Sequence, residues 1–349
     1  MDSNYEVDSE KGLELEASED ETKIILSTSK SVFNFTKKQK ILLVVTFFVC
    51  LAIYLYVAVK FLVRVDEEKE ARLKESIIEQ AEEIEAKYGI NIMWAGRCNT
   101  QHVSRLIQKP RMTNKEEIKN ALDEIEKVLD RYPDVFFDEI KEDNTSNNLN
   151  IGYIDVYLCD SIVSSNNIVD AVTGGATNYY YRDDGAYVLL DINIKKDYAH
   201  SFSHEIFHIM DSKIGMMSFE NAGIQSDLSD SYDFRWIKFN PDGYEYLKYT
   251  GNQNKVHVFD VDLPYDIDTE DIDNVYFVNK YAQFSDQEDR AETFTYLIAC
   301  DDADDLPESY NSPHVKEKAK LLVEMIDDTF DCVDDDAYWA RMYREKYGD

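Results

Sequence analysis

The stretch SHEIFHIMD, residues 203–211, decides how the rest of the chain is read. On an α-helix, residues four apart lie only about 40° apart around the axis, so His204 and His208 face the same way and can share one metal ion. Glu205 sits about 100° off that line, close enough to hold a water on the same ion. Zinc lowers the pKa of such a water towards about 7, and a neighbouring carboxylate then takes the proton. Ile206, Phe207, Ile209 and Met210 supply the apolar flank of a buried helix. An ordinary amphipathic helix with surface histidines fits the same residues, so a third ligand has to decide.

Outward from this helix, the chain has the length and the side chains for a folded domain. It has 349 residues, 44% of them hydrophobic, with 24 Tyr and 17 Phe, too rich in large side chains for disorder. Its 70 acidic against 37 basic residues give a net charge of −33, which repels phosphate backbones and argues against nucleic-acid binding. Residues 41–59, ILLVVTFFVCLAIYLYVAV, carry no charge, and the apolar run resumes after Lys60 to Val63. A helix over 41–63 is long enough to cross the roughly 30 Å hydrocarbon core of a bilayer. A cleaved signal peptide fits poorly, because the run is too long and no small-residue cleavage site follows.

Orientation is less direct. Lys23, Lys30, Lys37, Lys38 and Lys40 precede the span, and Lys60, Arg64, Lys69, Arg72 and Lys74 follow it, so the positive-inside rule is tied. An uncleaved first apolar segment usually acts as a signal-anchor, which favours a cytoplasmic N-terminus and an external C-terminal domain. The even set Cys98, Cys159, Cys300 and Cys332 leans the same way, being able to form two disulfides outside the cell, or to remain as buried thiols; Cys50 lies in the span.

The expected organisation is a disordered tail over 1–40, a transmembrane helix over 41–63, a juxtamembrane helix over 64–88 ended by Gly89, and one domain over 89–349. Within that domain INIMWA (90–95), IGYIDVYLC (151–159) and AYVLLDINI (186–194) read as strands. Gly174, Gly175, Asp183, Asp184 and Gly185 read as turn residues between the last two. A capping box Thr113/Glu116 starts a helix running to about Asp130, the motif helix spans about 198–213, and 214–280 reads as mixed and loop-rich. A second capping box, Ser285/Glu288, opens another helix, and helices near 313–330 and 335–346 complete an α+β order.

The third ligand has to come from downstream. Metzincins place Gly three residues and His six residues after the second histidine; here Asp211 and Ile214 stand there, which excludes that class. YAQFSDQEDRAETF (281–294) instead offers Glu288 and Glu292 on one helix face. With these residues in place the chain resembles the gluzincin metallopeptidases of the anthrax lethal factor and Pro-Pro endopeptidase kind. In that group HExxH is followed by a Tyr and, seven residues on, by a ligand Glu. The resemblance covers roughly residues 186–300 and implies a zincin-like domain, with a mixed-sheet upper lobe, an active-site helix and a helical lower lobe. It implies His204, His208 and Glu288 as zinc ligands, Glu205 as general base and Tyr281 as the hydroxyl facing the oxyanion. Glu292 and Phe294 match the continuation of the ligand helix, and Asp211 matches an Asp found three after the second histidine. Phe207 departs from the Gly that lethal factor has inside the pentad. The strand YVLLDINI matches the edge strand along which an extended peptide would pair.

Other readings stay open residue by residue. Glu288 fits a helix cap, Glu292 fits the ligand role with Glu288 behind it, and Asp211 fits either a support for an imidazole N–H or a solvated helix end. The acid-rich segments 260–273 and 301–305 could take calcium, but neither has EF-hand spacing and both read as solvated loops. The expectation is a membrane-anchored zinc endopeptidase acting on a peptide or protein. The rival from another class is a surface-anchored binding or sensor module that keeps the metal without turnover, and a Ste24-type peptidase would need more spans.

Overall fold

The computed structural model describes residues 36–94, 97, 114–142, 151–159, 162, 175–179, 185–191, 197–222, 232–247 and 269–348. Two compact units divide between Lys69 and Glu70. That boundary falls inside helix α1 (Lys37–Tyr88). The segments expected separately at 41–63 and 64–88 are one helix, because no Gly or Pro interrupts residues 36–88. In the first unit the large apolar side chains from Ile41 to Val65 are exposed, and this helix is long and apolar enough to cross a membrane. The expected tail lies, up to residue 35, outside the described residues.

In the second unit α1 buries Ile77, Ala81, Ile84 and Tyr88 at helical spacing. Gly89 ends the helix at φ 67°, a left-handed conformation that costs glycine little. Strand β1 (Asn91–Trp94) follows, then α2 (Lys115–Leu129) and the short α3 (Phe136–Lys141). Thr113 lies outside the described residues, and the cap of α2 is its neighbour Asn114, whose side chain accepts from Glu116 N and Glu117 N. Helix α3 was not anticipated. Its C-terminal carbonyls receive the buried Lys213, which donates to Ile140 O and Glu142 O at 3.4 and 3.1 Å and also to Glu139 O.

Strands β2 (Tyr153–Cys159), β3 (Gly175–Tyr179) and β4 (Gly185–Asp191) complete a four-stranded mixed sheet of order β1-β2-β4-β3. β1, β2 and β4 run parallel, and β3 is antiparallel to β4 with Thr177 opposite Val188. Two expectations are corrected here. Gly175 and Gly185 are strand residues rather than turn residues, and β4 is an inner strand, hydrogen-bonded on both sides. The composition of β4 explains its place: AYVLLD is buried throughout, and an apolar run buried on both faces belongs inside a sheet. Among the described strands the edges are therefore β1 and β3. Ile154, Val156, Leu158, Ala186, Val188 and Leu190 face the main core, while Tyr157, Cys159, Tyr187 and Leu189 form a second cluster on the other face.

Helix α4 (Tyr198–Ala222) packs beneath β3 and β4 and runs past the expected end near residue 213, since Ile214 buries against the core and no proline stops it. After α5 (Tyr232–Ile237) come α6 (Asp286–Ala299), α7 (Pro313–Thr329) and α8 (Tyr338–Tyr347), which pack together below α4. Cys50, Cys159, Cys300 and Cys332 are free thiols, so the paired-disulfide option is not realised; Cys98 lies outside the described residues.

Candidate metal centre

Two helices build the site. On α4, His204 and His208 stand one turn apart, and on α6, Glu288 occupies the third position of a capped first turn. Ser285 is the cap, its hydroxyl accepting from Glu288 N at 3.2 Å, so Glu288 serves the cap while its carboxylate reaches across to α4. His204 Nε2 lies 2.9 Å from Glu288 Oε2 and 3.1 Å from His208 Nε2, and His208 Nε2 lies 3.4 Å from the same Glu288 oxygen. Three donors bound at 2.0–2.1 Å in tetrahedral geometry stand about 3.3 Å apart, so this triangle has the size a zinc ion requires. Among the described residues this is the one His/Cys/Asp/Glu group with metal-ligand spacing. The charge balance fits too. Glu205, Glu288 and Glu292 gather around the two histidines, an excess of negative charge that a dication offsets.

Glu292, one turn after Glu288, is not in the triangle. It lies behind His204, with Oε1 2.9 Å from Nδ1. Its other oxygen stands 3.2 Å from His200 Nε2 and accepts from Asn279 Nδ2. The two glutamates thus stand at opposite nitrogens of His204, and a carboxylate behind a ligand histidine is placed to orient its ring.

Burial alone would depress the His204 imidazolium, but hydrogen bonding to Glu288 and Glu292 outweighs it and raises its pKa well above the usual histidine value. Glu288 and Glu292 are held well below the ordinary carboxylate range: burial opposes this, and hydrogen bonds from the histidines overcome it. Glu205 moves the other way. Burial raises it, and the charges of His204 and His208 with a hydrogen bond from Thr177 only partly offset that. Tyr281 packs its ring 5.8 Å from that of His204, and burial, with the charges of Glu288, Glu205 and Glu292, pushes its phenol well above the usual value. It therefore stays protonated and able to donate.

Asp211 is placed differently from either expectation. It is buried and takes a two-pronged hydrogen bond from Arg290, Nε to Oδ1 at 2.7 Å and Nη2 to Oδ2 at 2.8 Å, tying α4 to α6. Phe207, the residue that departs from the lethal factor pattern, points into the core and stacks on Phe294 at 4.9 Å. Of the acid-rich segments, 260–268 lies outside the described residues. In 301–305, Asp301 pairs with Lys127 and Arg131, and Asp302 caps a short turn.

Sequence reasoning missed His200, Asn279, Arg290, Thr177 and the role of Gly175. His200 had a readable signal, since it continues the four-residue spacing of His204 and His208 by one turn. The others meet the site only through tertiary contacts. Comparison with known proteins adds no relative: no family model, no curated protein and no solved structure matches this chain.

Proposed function

We propose that the chain is a membrane-anchored zinc metallopeptidase of gluzincin type, with a zincin-like domain outside the cell and its N-terminus in the cytoplasm. The observation that carries the reading is the triangle of His204 Nε2, His208 Nε2 and Glu288 Oε2, flanked by Glu205 and Tyr281. The membrane part rests on the exposed apolar run of α1. A zinc ion held by the three donors supplies a Lewis acid that acidifies water and polarises a carbonyl. The chain supplies the rest. The Glu205 carboxylate takes a proton from the attacking water and returns it to the leaving amine. The Tyr281 hydroxyl donates to the carbonyl oxygen as that oxygen gains negative charge. Glu292 holds the His204 ring so that Nε2 faces inward. An extended peptide is the expected substrate, and the acidic surface favours a cationic one.

The test is the full chain in detergent, measured for metal by mass spectrometry and for hydrolysis on a peptide library. Glu205→Gln leaves the ligands untouched and should keep zinc while losing about 10²–10⁴ in rate. Near-normal turnover in Glu205→Gln with zinc bound removes the mechanism. Zinc without any hydrolysis by the unaltered chain points instead to a binding or sensor module.

A further inference from the structure

Thr177 and Gly175 lie two residues apart on β3, both facing α4, with Thr177 opposite Val188 and Gly175 opposite Leu190 on the main-core side of β4. Both meet Glu205. A Cβ on Gly175 would stand 2.5 Å from Glu205 Oε1 and 2.6 Å from its Cγ, so any side chain there would force this carboxylate to move. Thr177 Oγ1 stands 2.7 Å from Glu205 Oε2 and also 2.7 Å from the backbone oxygen of Glu205. A hydroxyl has one proton and two lone pairs, so it cannot donate to both acceptors at once. It can alternate between them.

We propose that Thr177 is a positioning residue that, with the space left by Gly175, holds the Glu205 carboxylate in one place. Its hydroxyl reaches both Oε2 and the backbone oxygen of Glu205, so β3 ties the end of this side chain to the helix that carries it. Removing the hydroxyl takes that tether away. Because β3 is an edge strand among the described ones and packs on α4, this contact also makes the position of the base depend on the strand that a peptide laid along that edge would pair with. The catalytic part of this inference rests on the peptidase reading above.

The experiment compares Thr177→Val, Thr177→Ala and Thr177→Ser in the full chain in detergent. Infrared spectra of protein carrying carboxyl-¹³C glutamate, with the Glu205→Gln spectrum subtracted, isolate the Glu205 band. Val and Ala should shift that band, and Ser should restore it. In turnover, kcat should fall about 10–100-fold in Val and Ala, the range seen when a supporting partner is removed, with KM and zinc content unchanged. Ser should return to within a few-fold of the unaltered chain. An unshifted band in both Val and Ala overturns the proposal, and so does a Ser variant as impaired as Val, which would assign the effect to packing of the methyl group. Absence of hydrolysis in the unaltered chain defeats the peptidase reading alone, while the infrared comparison still decides the Thr177 contact.

Discussion

Glu288 and Glu292 are a single turn apart on α6, yet they face opposite nitrogens of the same imidazole, and the distinction has measurable consequences. Glu288→Ala leaves two imidazoles, so zinc affinity should collapse; Glu292→Ala leaves the triangle intact and should cost about 10–100-fold in affinity. Metal content of the two variants checks this, and zinc kept in Glu288→Ala but lost in Glu292→Ala exchanges their roles. Tyr281→Phe should keep zinc and substrate affinity and lose about 10²–10³ in kcat, since under the proposed mechanism its hydroxyl is used only when charge builds on the carbonyl oxygen. Gly175→Ala should also keep zinc, because the atoms nearest its new methyl group belong to Glu205 rather than to a ligand, while turnover under the proposed mechanism falls as Glu205 is pushed aside. Unchanged turnover in Gly175→Ala would show that the carboxylate moves freely.

Between elements, the critical join is α4 against α6, since one helix brings both histidines and the other brings Glu288. Two contacts set their alignment: the stack of Phe207 on Phe294 and the buried pair of Asp211 with Arg290. Arg290 has secondary carboxylates in Asp286 and Asp233, each at 3.1 Å. Asp211→Ala would leave the guanidinium buried with these poorer partners, so the loss should sit near the lower end of the usual range for breaking a buried pair, about 3 kcal/mol. The midpoint of urea unfolding reports it; a loss under about 0.5 kcal/mol would mean the pair behaves like a surface one. A second buried pair braces α6 from behind. Asp289 Oδ2 takes hydrogen bonds from Lys318, Trp236 and Tyr246 at 2.6, 2.9 and 2.7 Å, with the Lys318 ammonium 4.2 Å from the Phe277 ring centre.

For the molecule as a whole, the two units differ in what they do with apolar surface. The first exposes it from Ile41 onward, whereas the second, from Glu70, buries Ile77, Ala81 and Ile84 in its own core. A chain beginning at residue 65 should therefore stay in solution without detergent, and the full chain should not. Sedimentation with and without detergent measures the difference; a truncated chain that still pellets would place the apolar liability elsewhere. Protease added to intact cells should digest the second unit and spare the tail under the proposed orientation. Protection of that unit reverses the orientation.

What the sequence alone determined is what depends on local spacing. His204 and His208 must share a face because 3.6 residues make a turn, Ser285 must cap Glu288 because the acceptor and the third amide are adjacent, and an apolar run over 41–63 broken only by Lys60 reads as membrane-compatible in any fold. The α+β order followed from the same periodicities. Tertiary structure decided the rest, where partners lie far apart in the chain and no spacing rule connects them. It made β3 an edge in place of β4, because hydrogen bonds from β2 and β3 close both sides of β4. It gave Asp211 to Arg290, 79 residues away, and brought Thr177 to Glu205 across 28. It also separated Glu288 from Glu292, which share a helix face in sequence but meet different atoms of His204, because one turn along α6 carries a carboxylate from the front of that ring to its back.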